Sequence, residues 1–324
     1  MIVWILLYVY KNYCGEDEYQ KSRRFETLPY IYAKISYNSI SNHLHDIVKS
    51  TFKEYFDSSD QKAITYDEST HICENDNDND NNHLKEKSFE AYHNTCNKEI
   101  TFYLDHRYFS GLFFMILAKQ LFNIKPLNVM KETYTPFVTE YYIVKFLIYM
   151  YFFQKNNDSI EMIQSKNEMK RENYHFSIKE IEFLKGSRKY RVIYKILNHV
   201  YLKLNIKRKL RVMISIAFES SKERYNNVGA IFCFFDGNFD NMVKEIERNK
   251  YQAIASNILQ RFSNNGKKAR NLVDVVLSCG CFEGGSKNIN DFYVTYENIA
   301  DYPVYCISTT YDDDVKCTIT WMNK

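Results

Sequence analysis

The sequence predicts an α+β chain of two similar lobes, each a mixed β-sheet covered by helices. Three observations carry this reading. Strand-like alternation and helical spacing both occur in each half of the 324-residue chain, a length that suits one large domain or two ordinary ones. The elements lack the regular strand–helix–strand order of a doubly wound parallel sheet. Hydrophobic residues make up 45% of the chain, with 28 Tyr and 23 Phe to fill cores and only 9 Gly and 4 Pro, which argues against a turn-rich design.

The elements follow in order. Pro29–Tyr37 alternates and is rich in β-formers, so it is predicted as a strand. Ser39 or Ser41 caps a helix to about Phe56, with Leu44, Ile47, Val48, Phe52 and Phe56 at helical spacing. Residues 57–97 change character. Their centre, E-N-D-N-D-N-D-N-N, is acidic low complexity and predicts a solvated, disordered insertion. Order returns with a strand over Glu99–Leu104, a turn at His106 and a helix over Gly111–Phe122. Lys125–Tyr174 reads as a connector holding an aromatic helix and then a polar stretch, Gln154–Asn173.

The second half opens on Ser177-Ile178-Lys179-Glu180, a capping box. Helical spacing runs from Val192 to Leu204. Leu210–Phe218 and Val228–Phe235 are strands, and Asn238 or Asp240 opens a long helix to about Phe262. Val273–Ser278, Asp291–Glu297 and Pro303–Thr310 are strands. Asp312–Asp314 then turns the chain into a last strand, Val315–Trp321, completing a hairpin. The expected division is an N-terminal lobe at 1–135 with the insertion at 57–97, a connector at 136–175, and a C-terminal lobe at 176–324.

Composition excludes some classes. A net charge of +3 is too weak to argue for nucleic acid. The 8 Cys form no paired C-x-x-C units, and Cys233, Cys306 and Cys317 sit in apolar strand-like runs, as buried thiols do in a reducing compartment. Cys279-Gly280-Cys281 reads as two strand-end thiols rather than half a metal site, and no metal is expected. Met1–Tyr10 is apolar but lacks the features of a signal peptide and is too short to span a bilayer. Phe137–Phe153 is interrupted by Glu140 and Lys145, which favours a buried or interfacial helix over a membrane span. The chain is therefore expected to be intracellular, either cytoplasmic or membrane-peripheral. It contains no P-loop, G-x-G-x-x-G, G-x-S-x-G or H-E-x-x-H.

One segment suggests a specific chemistry. Leu104–Gly111 reads L-D-H-R-Y-F-S-G, with a strand before it and a helix after it. A histidine held between two rigid elements is well placed for a general base, and the Gly lets a backbone or ligand come close.

That segment and the order of elements resemble the chloramphenicol-acetyltransferase-like, CoA-dependent acyltransferases. These carry H-x-x-x-D-G after a strand and before a helix, and His106 to Gly111 matches as H-x-x-x-S-G. Asp105-His106-Arg107 also repeats the D-H-R of dihydrolipoamide acyltransferases. The layout is closer to the two-lobed members: wax-ester synthases, alcohol acyltransferases and peptide-synthetase condensation domains. Asn227-Val228-Gly229 stands where they have a turn before a strand, and Val275-Val276-Leu277-Ser278 where they have a strand after a long helix.

The resemblance implies an inter-lobe tunnel and acyl transfer from an acyl-CoA or phosphopantetheine thioester to a small alcohol, amine or lipid acceptor, with His106 as general base. Asp105, Arg107, Ser110 and Gly111 would support the motif. Charge building on the carbonyl oxygen needs a donor, for which Ser278 is the candidate, with Asn227 and Gly229 as further tunnel residues. Lys207, Arg208, Lys209, Lys267 and Lys268 are candidates for the carrier's phosphates, the alternative being solvated surface turns. Ser110 departs from the family's Asp, and a serine makes no charged bidentate pair. That departure supports a second reading, a catalytically inactive relative acting as a lipid- or protein-binding scaffold. A third reading is an unrelated scaffold in which the motif is coincidental.

Other polar groups have simpler readings. His43 and Asp46 fit an exposed helix face, His199 a packed helical position and His175 a loop. Asp312–Asp314 fits a turn. Tyr141, Tyr142, Tyr149 and Tyr151 fit core or membrane-surface packing.

Overall fold

The computed structural model describes residues 30–40, 44–57, 64–74, 87–105, 108–109, 111–127, 130–131, 136–155, 169–205, 208–219, 228–260, 273–283, 288–296 and 303–322. Its elements in chain order are β1 (Tyr30–Tyr37), α1 (Leu44–Asp57), α2 (Tyr66–Ser69), β2 (Thr70–Glu74), β3 (Phe89–Asn94), β4 (Glu99–Asp105) and α3 (Gly111–Phe122). Then come β5 (Lys125–Leu127), β6 (Met130–Lys131), α4 (Pro136–Lys155), β7 (Met169–Ser177), a 3-10 turn (Ile178–Ile181) and α5 (Arg188–Leu204). The chain continues through β8 (Leu210–Glu219), β9 (Val228–Phe235), α6 (Phe239–Arg248), α7 (Tyr251–Gln260), β10 (Val275–Glu283), β11 (Ile289–Tyr296), β12 (Val304–Tyr311) and β13 (Asp314–Met322).

Two mixed sheets form, as expected for the α+β class. The first has five strands in the order β11-β1-β4-β3-β2. The second has eight, with β6-β8-β10-β12-β13-β7 in line, β9 on β8 and β5 on β10. In the first sheet β1 alternates one buried and one half-exposed residue, so Ile31, Ala33, Ile35 and Tyr37 face a core completed by α1 and α3. In the second sheet one face is covered by α5 and α6, and the other in part by α4 and α7.

Sheet pairing crosses the sequence halves. β11 pairs antiparallel with β1, while β5 and β6 pair with β10 and β8. β11 also reaches the second sheet: Val294 N donates to Thr309 Oγ1 at 3.1 Å, Arg171 donates to Thr295 at 3.3 Å, Lys316 pairs with Asp291, and the Tyr293 and Thr318 hydroxyls meet. Beneath it Phe292 stacks on Phe114 at 5.6 Å and packs against Phe282 at 4.9 Å.

The structure corrects several expectations. The stretch 57–97 is not wholly an insertion, because β2 and β3 lie within it and Phe89 and Ala91 are fully buried. Its low-complexity centre, 75–86, lies outside the described residues. The connector contains β7, whose backbone pairs with β13 along nine residues. His175 is therefore an exposed strand residue facing Asp314 at 3.6 Å rather than a loop residue. The long helix after Asn238 breaks at Asn249. There the buried Asn249 amide donates to Phe232 O, Gln252 Oε1 accepts from Phe232 N, and Ser256 Oγ accepts from Ala230 N at 2.7 Å. Side chains of the helical segment thus satisfy the outer edge of β9, which no further strand covers among the described residues. Strand β10 runs past Ser278, so Cys279 and Cys281 are interior strand residues and not strand ends.

The capping box at Ser177 and Glu180 forms as expected. The aromatic helix is α4, and no described helix is long and apolar enough to cross a membrane. On it Tyr142 and Tyr149 pack inward, whereas Tyr141 and Tyr151 are exposed.

Candidate active site

The motif hangs between two fixed points. Upstream, β4 ends at Asp105, 3% exposed, which is paired across the sheet with Tyr30. Its N–H donates to Ser88 O at 2.8 Å, and its carbonyl accepts from both Tyr108 N and Phe109 N at 3.0 Å. The chain therefore turns back within four residues of the strand. Downstream, Phe109 is 1% exposed and sits among Phe52, Tyr55, Phe89 and Phe113, the last ring at 4.6 Å. Helix α3 starts at Gly111. His106, Arg107 and Ser110 lie outside the described residues, as do Asn227, Lys207, Lys267 and Lys268.

The described face beside this turn is lined by tyrosines. Tyr32 meets Tyr103 at 5.3 Å and Tyr293 at 6.3 Å, both edge-on. Burial pushes the Tyr32 phenol up from its ordinary range, so it stays a neutral donor. Tyr293 then meets Thr318 in the second sheet.

Ser278 lies on the same side of the second sheet. Strand register aligns it with Ser215 on β8 and Ile307 on β12, and Ile307 with Thr318 on β13. The row across the sheet thus runs from Ser215 through Ser278 and the apolar Ile307 to Thr318, which meets Tyr293. Ala230, next to Gly229, pairs with Ser215, so buried Gly229 borders this row. Sequence reasoning missed the tyrosines and Thr318. Their only signal was the outward positions of β1, β4 and β11, which needed the pairing partners to acquire meaning.

The basic candidates separate. Arg208 is committed to Asp274 through two bonds of 2.7 and 2.9 Å, so its fork is not free for a phosphate. Arg211 completes the cluster, with its N–H and Nη2 on the same carboxylate at 2.8 and 3.0 Å. Burial would raise the Asp274 pKa, but the two guanidiniums outweigh it and hold the carboxyl below its usual range. Lys209 is exposed. His199 packs on Tyr174 at 4.1 Å and meets Glu172 at 3.1 Å, as a packed helical histidine. Among the described residues no group of three or more His, Cys, Asp or Glu is placed to hold a metal ion.

No protein-family model matches the chain, and no curated protein is significantly similar to it in sequence. Solved structures are similar in fold. A double mutant of the starter condensation domain of rhizomide synthetase RzmA, in complex with C8-CoA and Leu-SNAC, aligns over 94% of this chain and 87% of its own, with TM-score 0.59 and 8% identity. Polyketide synthase associated protein 5 from Mycobacterium tuberculosis aligns over 94% and 92%, with TM-score 0.56 and 12% identity. The epimerization domain from the third module of tyrocidine synthetase B aligns over 91% and 86%, with TM-score 0.53 and 7% identity. At such identities the likeness speaks for the backbone alone, and it spans both sheets: the chain has the two-lobed fold of the chloramphenicol-acetyltransferase-like condensation and acyltransferase proteins.

Proposed function

We propose that the protein is an acyltransferase. It moves an acyl group from a CoA or phosphopantetheine thioester to a small alcohol, amine or lipid acceptor, with His106 as general base. One observation supports this above the others: β4 and α3 flank the H-x-x-x-S-G segment, with Asp105 and Phe109 fixing its two ends in a chain of this fold. His106 takes the acceptor's proton as its oxygen or nitrogen attacks the thioester carbonyl. Ser278 is the candidate donor to the developing oxyanion, on a row that reaches the tyrosine-lined face. Asp105, Arg107, Ser110 and Gly111 shape the loop, and Lys207, Lys209, Lys267 and Lys268 remain candidates for the carrier's phosphates.

The lobe division at 135 and 176 belongs to the same proposal, as does an intracellular location, either cytoplasmic or peripheral to a membrane. For the latter the contact is a lipid surface on the outer face of α4. There Tyr141, Leu147, Ile148, Tyr151 and Phe152 are more than half exposed, and Lys145 lies at 4.3 Å from the Tyr251 ring.

Ser110 in place of the family's Asp favours the second reading, an inactive relative that binds a lipid or protein. Thioester turnover separates the two. With a panel of acyl-CoAs and acceptors, wild type is expected to exceed His106→Ala by about 10²–10⁴-fold. Equal background hydrolysis by both proteins sinks the enzyme reading.

A further inference from the structure

Helix α4 is apolar on every side, although only one side is packed. Tyr142, Ile143, Phe146, Tyr149, Met150 and Phe153 face inward, onto β9, β10 and α7. On the outer side Tyr141, Val144, Ile148 and Tyr151 are 44–63% exposed. Val138, Leu147 and Phe152 widen that strip and are 37–59% exposed. Their combined exposed surface is on the order of 800 Å², the share that one partner brings to an interface of standard size. A monomer rarely leaves so large an apolar patch in water, and a helix that is apolar all round is normally buried all round.

The spacing of the strip says what covers it. Tyr141, Val144, Ile148 and Tyr151 follow at intervals of three, four and three, which are the a and d positions of two heptads. Val138, Leu147 and Phe152 fall at e and g, and the inward residues all fall at b, c and f. Such a seam fits the side of another helix, whereas a bilayer surface sets no such register. The flanks carry one charge of each sign. Glu140 stands at a g position and Lys145 at the following e, where it leans over the Tyr141 and Tyr251 rings at 6.0 and 4.3 Å. Helices that lie on anionic lipid are rich in Lys and Arg beside the apolar face. Here the neighbouring cations are paired, Arg248 with Glu245 and Lys250 with Glu247.

A twofold axis running along the helix brings the e flank of one copy to the g flank of the other, so that Lys145 meets the Glu140 position of a second chain. An antiparallel pair instead sets cation flank on cation flank. We propose that α4 is the dimer interface of this protein, paired in parallel with the same helix of a second copy along Tyr141, Val144, Ile148 and Tyr151. The dimer gives the cytoplasmic form its cover for α4, and lipid is the rival occupant of the same face. The pairing does not rest on the acyl-transfer reading, because no seam residue belongs to the His106 segment.

Sedimentation equilibrium of the full chain tests it, together with co-sedimentation on vesicles of phosphatidylcholine and phosphatidylserine. Without lipid, wild type is expected at twice the chain mass. Ile148→Glu sets like charges opposite each other on the seam and should weaken the dimer at least tenfold. Leu202→Glu, at an exposed apolar residue of α5, should leave it unchanged. Exchanging the flank charges tests the direction of pairing. Glu140→Lys and Lys145→Glu should each weaken the dimer several-fold, and the double variant should regain it, a rescue that a merely misfolded variant does not show. A double variant no better than the single ones overturns the parallel pairing. A chain that stays monomeric at every concentration overturns the proposal. So does a monomer that binds the vesicles through Ile148, which assigns the face to lipid. A dimer indifferent to Ile148→Glu places the interface elsewhere and overturns it as well.

Discussion

The two lobes build their cores from different material. Under the first sheet the core is aromatic: Phe52, Phe89, Phe109 and Phe113 meet one another largely edge-on, with Tyr55 against Phe109, Phe113 and the adjoining Phe56. Under α5 and α6 the second core is mainly aliphatic, with Val192, Ile193, Ile196, Leu197, Val212 and Leu277 buried. Both lobes bury carboxylates, Glu90 and Asp105 in the first and Asp274 in the second, but they use charge differently. The second lobe buries Asp274 between two arginines, while the first fixes its motif turn through backbone bonds and one ring. Rings interlock by direction as well as volume, so an aromatic core can set the angle at which a loop leaves a strand. Aliphatic groups fill space with less directional demand, and there polar bonds set the geometry.

The largest test breaks the polar half of that contrast. Asp274→Ala takes the carboxylate away from Arg211, whose side chain is 3% exposed, and should cost about 3–5 kcal/mol in urea unfolding. The effect has a definite pH sign. The folded Asp274 pKa is depressed, so its stabilisation is complete above the unfolded value of about 3.9 and is lost as pH falls through the folded pKa. The gap in urea midpoint between wild type and Asp274→Asn should stay constant from neutral pH to about 5 and narrow below about 4. A gap that widens on acidification would show that this carboxylate is not what Arg208 and Arg211 stabilise.

A smaller effect sharpens the aromatic half. Phe109→Leu keeps much of the volume but loses edge-on contacts, each worth about 0.5–1.5 kcal/mol, and about 2 kcal/mol in total is expected. Ile196→Leu, at a fully buried site in the other core, should cost under about 1.5 kcal/mol. If the enzyme reading holds, Phe109→Leu should also lower turnover, because the ring anchors the downstream end of the motif turn, while Ile196→Leu leaves turnover unchanged. Equal costs and equal turnover would mean that ring geometry adds nothing to the site.

The same contrast explains what could be read from the chain. Strong periodicity located β1, β4, α3 and β9 within a residue or two, and the body and end of α1 though not its start, which is Leu44 rather than a turn capped by Ser39, because each buries one face against its own lobe. β3 was hidden by its acidic neighbour, and β7 by a polar sequence, M-K-R-E-N-Y-H-F-S, whose stability comes from backbone pairing with β13. The break at Asn249 was invisible because its cause, the unpaired edge of β9, is remote in sequence. In the candidate site the motif turn was legible from one strand, one helix and one short string. Ser278's row and the tyrosines around Tyr293 were not, since each depends on elements that only the sheets bring together.

The smallest test concerns a device the two lobes share. Helix α3 is followed by Asn123 at φ 57°, and α5 is closed by Asn205 at φ 49°. Asn123 N–H bonds back to Lys119 O at 2.8 Å, and Asn205 N–H to Leu202 O at 3.2 Å. A left-handed residue lets the chain leave a helix while covering its last carbonyls, and asparagine tolerates that conformation better than residues with an apolar Cβ branch. Asn→Ala at either position should therefore cost about 1 kcal/mol, and Asn→Gly should be neutral or slightly stabilising, whatever the core beneath. If the caps act locally, the two alanine variants shift the urea midpoint alike and the double variant adds. A larger loss at Asn123 would mean that the aromatic core constrains the exit of its helix as tightly as it constrains the motif turn, and that ring packing, more than local backbone preference, sets the geometry of the first lobe.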